Sequence, residues 1–163
     1  MESCYEEEMV TMEKKAKSFE DTFVQVCEQI SWIQEFEFRH GSYSDITLKE
    51  LRAVVVIAEI EQPTARRIAD CLNLSPGTLT ITADRLVRKG YVDRARDAKD
   101  RRIVHIFLTD RGRELYKKYR TLQQQAYKKL VAGMSAEQVS VLQRGFENLF
   151  AHYDAEQQKS KPE

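Results

Sequence analysis

The sequence predicts a mainly α-helical protein in which one small β-hairpin interrupts a series of helices. Along most of the chain, apolar residues recur every three or four positions, which is the period of an amphipathic helix. Between residues 92 and 108 the pattern changes, because two runs of strand-forming residues flank a charged loop. Of the 163 residues, 42% are hydrophobic and only three are proline. This composition and length fit one globular domain, or one domain with extensions.

The N-terminal region is predicted to form a long helix that needs a partner. Residues 1–8 are acidic and are expected to be disordered. Apolar side chains then follow alternating spacings of three and four, a heptad pattern typical of a coiled-coil contact. Because a small domain cannot bury so long a seam alone, residues 9–46 are interpreted as a dimerisation helix and linker. The seam consists of Met9, Met12, Ala16, Phe19, Phe23, Val26, Ile30 and Ile33.

Three helices are predicted next, and the second and third are joined by a tight turn. The first begins with a capping box from Thr47 to Glu50, and its expected core face is Leu51, Val54, Val55 and Ala58. Thr64 and Ser75 suit the N-caps of the other two, and Pro76 occupies a first helical position, where its missing N–H costs nothing. The predicted buried stripe of the third helix is Leu79, Ala83, Leu86 and Val87.

The outward face of the third helix carries residue types that suit DNA. Threonine is a mediocre helix former, so folding alone does not explain a threonine-rich face. Short hydroxyl groups can meet base edges or phosphates, and long cations can meet phosphates. The alternative is an ordinary amphipathic helix. The candidate DNA-binding residues here are Ser75, Pro76, Thr78, Thr80, Thr82, Arg85 and Arg88.

A hairpin with a charged tip follows, with strands predicted over 92–96 and 103–108. Guanidinium groups at such a tip suit the negative potential of a DNA minor groove. The alternative is a solvated hairpin whose surface ion pairs contribute little. We expect Asp97 or Asp100 to pair with one of the arginines and orient it. The candidate DNA-binding residues of the hairpin are Arg96, Asp100, Arg101 and Arg102.

The charge distribution agrees with a local DNA-binding surface. The net charge is zero, which argues against a generally basic nucleic-acid binder. Residues 85–120, however, hold 13 Lys or Arg against 5 Asp or Glu, so the remainder carries a net charge of −8. A basic region on an acidic body is the electrostatic pattern expected of a DNA-binding protein.

These elements, in this order, predict a winged helix-turn-helix domain over residues 47–108. The run Asp100-Arg101-Arg102, the strand 103–108, Thr109 and Gly112 resemble the wing-to-helix signature of the MarR-type transcriptional regulators. Residues 85–92 resemble the end of that family's recognition helix. The resemblance implies a homodimeric, cytoplasmic regulator, most simply a repressor, that binds double-stranded DNA at a near-palindromic site.

The C-terminal region is predicted to form two further dimerisation helices over residues 109–155. Thr109 is expected to cap the first helix, and a second capping box runs from Ser135 to Gln138. The polar segment 156–163 is expected to be disordered. Long helices at both ends of the chain would thus flank the winged helix-turn-helix domain, and intertwining between two copies would bury their apolar stripes.

Within the family, residues 76–80, 100–104 and 133–135 are most similar to fatty-acid synthesis repressors of the FabT type. That resemblance implies control of fatty-acid biosynthesis genes by acyl chains on acyl carrier protein. Other family members respond to small aromatic or lipophilic effectors, which enter a cleft between the dimer helices and the winged domain. In this chain the implied lining is Phe36, Phe38, Leu51, Val55, Tyr116 and Tyr119.

The sequence does not favour an enzyme or a metalloprotein. The three histidines, at positions 40, 105 and 152, are far apart and lack a catalytic motif nearby. The three histidines and three cysteines show no metal-ligand spacing, so neither a metal nor a cofactor is expected. Neither a secretory segment nor a membrane span is expected from this sequence.

Two alternative functions stay open. A thiol redox-sensing regulator of the same family would respond through Cys4 or Cys27, with Cys71 expected near the helix-turn-helix core. No cationic neighbour obviously lowers the pKa of these thiols, so small apolar residues are the favoured interpretation. A winged helix that serves as a protein-interaction module would not need the basic face.

Overall fold

Six helices and one two-stranded antiparallel sheet form the described part of the chain, which confirms the predicted fold class. The computed structural model describes residues 18–39 and 42–159, and side chains for 18–29 and 42–156. Residues 1–17, which include the start of the predicted heptad seam, and 160–163 of the predicted tail lie outside it. The elements are α1 (Phe19–Arg39), α2 (Leu48–Glu59), α3 (Ala65–Leu72), α4 (Pro76–Arg88), β1 (Val92–Arg96), β2 (Val104–Leu108), α5 (Asp110–Leu130) and α6 (Ala136–Lys159).

The chain divides into two compact units, residues 1–48 and 49–163. The first unit contains α1, which Ser18 caps: its Oγ accepts a hydrogen bond from the Asp21 N–H at 3.0 Å. The first seam residue of this helix, Phe19, is 84% exposed, and Phe23 and Val26 are exposed too. The described apolar side chains at the start of α1 are therefore open to solvent in the single chain.

The core of the second unit lies among α2, α3, α4, the hairpin and the start of α5. On α2, Val55 and Ala58 are only half-buried, whereas Ala53 and Ile57 are buried, so the predicted core face was wrong at two positions. On α4, Val87 is exposed because it lies to one side of the face centred on Leu86. The largest fully buried side chains are Tyr91, Ile68, Leu86, Ile106, Leu115, Val54 and Val92.

The helix-turn-helix forms through the caps that the sequence predicts. The Thr64 Oγ1 accepts from the Arg67 N–H at 3.4 Å, and the Ser75 Oγ accepts from the Thr78 N–H at 3.2 Å. Asn73 adopts the left-handed conformation at φ 56°, which turns the chain between α3 and α4. Because Leu79, Ala83 and the α3 residues face one another, the opposite side of α4 is left free for solvent.

The hairpin is attached to the helix-turn-helix. Its register runs from Val92 opposite Leu108 to Arg96 opposite Val104. The segment before α3 extends the sheet, because the Ile106 N–H donates to the Pro63 carbonyl at 2.8 Å. Ile103 lies outside the strand, in the turn, where its N–H donates to the Asp100 carbonyl at 2.9 Å.

The two C-terminal helices begin as predicted but expose their apolar stripes. The Thr109 Oγ1 caps α5 at the Gly112 N–H, and Ser135 and Gln138 bond each other reciprocally at the start of α6. Among the helices that the structure describes, none is both long and apolar enough to cross a membrane. The exposed apolar side chains of these two helices include Tyr127, Leu130, Val141, Phe146, Phe150 and Tyr153.

Candidate nucleic-acid interface

The outward face of α4 is open along its length. Thr82 is half-buried. The other candidate residues of this face are exposed, namely Ser75, Pro76, Thr78, Thr80, Arg85 and Arg88. The helix has its N-cap at one end of this face and two arginines at the other. The positive end of the helix dipole favours phosphate, and so do the arginines.

The threonine hydroxyl groups are less free than the sequence suggests. The Thr80 Oγ1 donates to the Pro76 carbonyl at 2.9 Å, and the Thr82 Oγ1 donates to the Thr78 carbonyl at 3.0 Å. Such bonds to the preceding turn are common for hydroxyl side chains in helices. In this arrangement each hydroxyl keeps its acceptor lone pair and its methyl group for an external partner, while its proton is engaged by the helix.

Arg94 connects the hairpin to α4, a contact that the sequence analysis missed. Its Nη1 donates to Asp84 Oδ1 at 2.6 Å, and its Nη2 donates to the Thr80 carbonyl at 3.1 Å. The guanidinium group thus binds two points of α4 one turn apart. This contact fixes the position of α4 against β1, so Arg94 is a positioning residue rather than a free cation.

The hairpin tip is shaped by Asp97. Its Oδ1 accepts hydrogen bonds from the Lys99 and Asp100 N–H groups at 2.8 and 3.1 Å, and its Oδ2 lies 3.0 Å from the His105 Nε2. The His105 hydrogen bond and the two backbone N–H donors lower the pKa of Asp97 to about 2. The carboxylate therefore stays ionised at neutral pH and holds the tip in one turn.

The two adjacent arginines project from this turn. Arg102 is 92% exposed, and its Nε lies 3.3 Å from Asp100 Oδ1, which also accepts from the Arg102 N–H at 2.9 Å. The expected pairing of an aspartate with a tip arginine is thus present for Asp100, whereas Asp97 pairs with His105. Arg96 and Arg101 are exposed as well. The tip presents guanidinium groups on a supported turn.

The end of α4 is held by the start of α5. Arg111 Nη1 donates to the Lys89 carbonyl at 2.7 Å, and its guanidinium carbon lies 4.4 Å from the centre of the Tyr91 ring. Thr109 donates its hydroxyl to the Gly90 carbonyl at 2.6 Å and its N–H to the Tyr91 carbonyl at 3.1 Å. Consecutive carbonyl groups after α4 are thereby bound by one turn of α5.

A buried ion pair fixes the same end of α4 to α2. Glu50 is only 3% exposed, and both of its carboxylate oxygens accept from the Lys89 Nζ, at 2.7 and 2.9 Å. A buried carboxylate needs such a partner, since an uncompensated buried charge is strongly destabilising. The residue that the sequence assigned to a capping box therefore also anchors the exit of α4.

The residues proposed to line an effector cleft lie in different environments. Tyr116, Tyr119 and Val55 are half-buried, whereas Leu51 is buried in the core. The Tyr116 hydroxyl donates to Glu59 Oε1 at 3.1 Å, and burial followed by this hydrogen bond raises the pKa of Tyr116. The side chains of Phe36 and Phe38 lie outside the described ones.

The other chemistry-bearing residues form no cluster in the described part of the chain. Cys27 and Cys71 are both exposed. The expectation that Cys71 lies near the helix-turn-helix core is wrong, because α3 buries Ile68, Ala69 and Leu72 instead. Within these residues, no group of three His, Cys, Asp or Glu side chains could hold a metal ion. Cys4 and His40 lie outside the description.

The fold and this surface define a winged helix-turn-helix protein with a cationic wing. The sequence model of the MarR family matches residues 44–103, which include α2, α3, α4, β1 and the hairpin tip. Over these residues, which make up less than half of the chain, the chain is similar to the MarR family.

Individual proteins and solved structures are similar to the chain as well. The chain is 40% identical over 74 residues to the HTH-type transcriptional regulator TtmR of Methylorubrum extorquens (strain PA1), an alignment that covers 45% of this chain and 38% of TtmR. The chain thus spans less than half of that relative. Among solved structures, Streptococcus pneumoniae FabT in complex with DNA has a TM-score of 0.77 and 29% identity, covering 83% of this chain and 95% of FabT. An S. aureus MepR-DNA complex, at 18% identity and a TM-score of 0.63, covers 83% and 96% and supports the fold alone.

Proposed function

We propose that this protein is a sequence-specific transcriptional repressor that binds double-stranded DNA as a homodimer. In this proposal α4 enters the major groove and the hairpin tip enters the adjacent minor groove. The observation that carries it is the joint exposure of one face of α4 and of Arg101 and Arg102, on elements that Arg94 ties together. A regulator must share a compartment with the DNA that it binds, so we propose a cytoplasmic location.

A homodimer would set the geometry of the DNA site. Two copies of α4 related by a two-fold axis would contact successive major grooves about 34 Å apart, so the site would be near-palindromic. The exposed apolar stripes of α5 and α6 support a partner copy, since large exposed apolar patches mark interaction sites.

Fluorescence anisotropy tests the DNA proposal. Labelled DNA from upstream of the protein's own gene would be compared with scrambled DNA over a salt series. We expect preferential binding with a steep salt dependence, because each neutralised phosphate releases counterions. Equal, salt-insensitive binding of both DNAs would instead favour a winged helix used for protein interaction.

Arg102→Ala is the sharpest variant for the wing. We expect specific binding to weaken by about 1–3 kcal/mol, the usual size of one good groove contact, while the fold is retained. Arg144→Ala is the matched control, because Arg144 is an exposed arginine on α6, outside both α4 and the hairpin. Equal affinities of the two variants for the selected DNA would remove the wing from the mechanism.

An acyl effector is proposed for the regulation. The support is the likeness to FabT, at 29% identity over most of both chains, together with the half-buried aromatic side chains Tyr116 and Tyr119. Apolar and aromatic linings are typical of ligand pockets. We propose that the target genes serve fatty-acid synthesis and that long-chain acyl carrier protein is the signal.

The effector is tested by adding long-chain acyl carrier protein, a small aromatic acid or a peroxide to the protein–DNA complex in separate titrations. A change in affinity with the acyl form only, and not with unacylated carrier protein, supports the lipid proposal. A response to the small aromatic acid points to an aromatic effector. A response to peroxide that Cys27→Ser removes would support the thiol redox-sensing alternative, for which the exposure of Cys27 is the motivating observation.

A further inference from the structure

Ile81 is an exposed aliphatic side chain at the centre of the outward face of α4. It is 55% exposed. In an α-helix each residue advances about 100°, so Ile81 lies about 200° around the axis from the buried Leu79. Burying a branched aliphatic side chain is favourable, and folding leaves this one in solvent. Packing in the protein core therefore does not explain why residue 81 is an isoleucine.

The surroundings of Ile81 suit a nucleic-acid major groove. Gly77 lies one turn before it, and nothing lies within 4 Å of the position where a Cβ on Gly77 would be, so the approach to Ile81 is open. Arg85 and Arg88 lie on the same side of the helix toward its C-terminus, and both are exposed. An apolar centre followed by two cations matches a groove whose floor carries methyl groups and whose edges carry phosphates.

Three polar side chains of α4 near Ile81 are already engaged by hydrogen bonds within the protein. Thr80 and Thr82 commit their hydroxyl protons to the Pro76 and Thr78 carbonyls, and Asp84 is bound by Arg94. At the centre of the outward face, Ile81 therefore offers an apolar contact to an external partner. In the major groove, the apolar group that distinguishes a base pair is the C5-methyl of thymine.

From these observations, and resting on the proposed function, we infer that Ile81 is a specificity-determining residue that packs against a thymine C5-methyl group in each half of the DNA site. The inference deepens the DNA-binding proposal, because it states which base feature the helix selects. It also assigns a contact to a residue that the threonine-and-arginine pattern does not include.

The experiment starts with a DNA site selected from random duplexes by the full-length protein. Each thymine of that site is then replaced in turn by deoxyuridine, which keeps the base pair and removes only the methyl group. Losing one buried methyl contact is expected to raise Kd about threefold to fivefold at one thymine position in each half-site. At that position Ile81→Ala is expected to bind the thymine and deoxyuridine sites equally, and Ile81→Val to respond weakly.

Val87→Ala is the matched control, since Val87 is also an exposed aliphatic residue of α4 but lies off the outward centre. It should keep the full discrimination between thymine and deoxyuridine. Alanine is a good helix former, so both variants should keep α4. Equal binding of wild type to every deoxyuridine site, or full discrimination by Ile81→Ala, would overturn this inference alone. Failure to select any site would overturn the DNA-binding proposal and, with it, this inference.

Discussion

At the scale of single residues, the acceptors around each cation of the interface decide how firmly it is held. Arg94 is bound by Asp84 and a carbonyl group of α4, whereas Arg102 pairs only with Asp100 among the described residues and projects, with the exposed Arg101, from the hairpin tip. The tip itself depends on one carboxylate, that of Asp97, which binds two backbone N–H groups and His105. A guanidinium group on an ordered turn loses less conformational entropy when it binds.

Asp97 should give the protein a specific acid sensitivity. The pKa of Asp97 in the fold is about 2, below its ordinary value of 3.8, so the stabilising contribution of its carboxylate is fully present above about pH 4 and is lost as the pH falls toward 2. We expect the urea midpoint of wild type to fall more than that of Asp97→Asn between pH 5 and pH 3. Asp93→Asn, an exposed carboxylate of the same hairpin, is the control and should follow wild type. If the urea midpoints of wild type and Asp97→Asn fell by the same amount between pH 5 and pH 3, the assigned hydrogen bonds would be contradicted.

At the scale of elements, the start of α5 fixes the exit of α4. Three backbone carbonyls after α4 are bound by Thr109 and Arg111, and Lys89 is bound to Glu50 on α2. The recognition helix is thereby held at its end by two neighbouring helices as well as by the hairpin. A shift of α5 would consequently move the end of α4, which would give the proposed effector a physical route to the proposed DNA-binding helix.

Gly112→Ala tests how closely α5 approaches this exit. A Cβ on Gly112 would overlap the Tyr91 carbonyl oxygen, a backbone atom that cannot move aside freely. We expect a loss of about 1–3 kcal/mol or more in the free energy of unfolding, from urea denaturation at fixed protein concentration. A Cβ added at Gly145 on α6 would meet open space. Gly145→Ala should therefore raise the free energy of unfolding by about 0.5–1 kcal/mol, as for an exposed helical glycine. A Gly112→Ala protein as stable as wild type would disprove the close approach.

At the scale of the whole molecule, α5 and α6 carry apolar side chains that a single chain leaves exposed to solvent. Phe150 is 74% exposed, and five further apolar side chains of α5 and α6 are exposed with it. Two copies that covered these stripes would remove this surface from water and would place two winged domains on one DNA molecule. The same stripes would then serve both the association and the recognition of a two-fold site.

Phe150→Glu tests the proposed dimer. A carboxylate in an apolar interface costs more than the contact it replaces, so we expect a monomer by light scattering after gel filtration, and loss of specific DNA binding. The helix content by circular dichroism should be unchanged, because the residue is exposed in the single chain. Asn148→Glu places the same charge at an exposed polar position of α6 and should stay dimeric. A dimeric Phe150→Glu protein would exclude this stripe from the interface.

Local chemistry by itself determined much of the winged helix-turn-helix. The caps at Thr64, Ser75 and Thr109, and the turn at Asn73, follow from the bonding needs of neighbouring backbone groups, so a short stretch of sequence suffices to predict them. The exposed arginines of α4 were predicted from the helical period, and Arg101 and Arg102 from their position at a charged hairpin tip.

Only the tertiary structure decided which charged side chains form ion pairs within the protein and which apolar side chains of α4 stay exposed to solvent. Arg94 and Glu50 bind partners 10 and 39 residues away, which no local period encodes. Val87 and Ile81 lie outside the core because the direction of α4 is set by its contacts with α3 and the hairpin, and a rotation of one residue moves a side chain by about 100°. The period of a helix gives the width of its apolar face, but the packing of its neighbours sets the direction of that face.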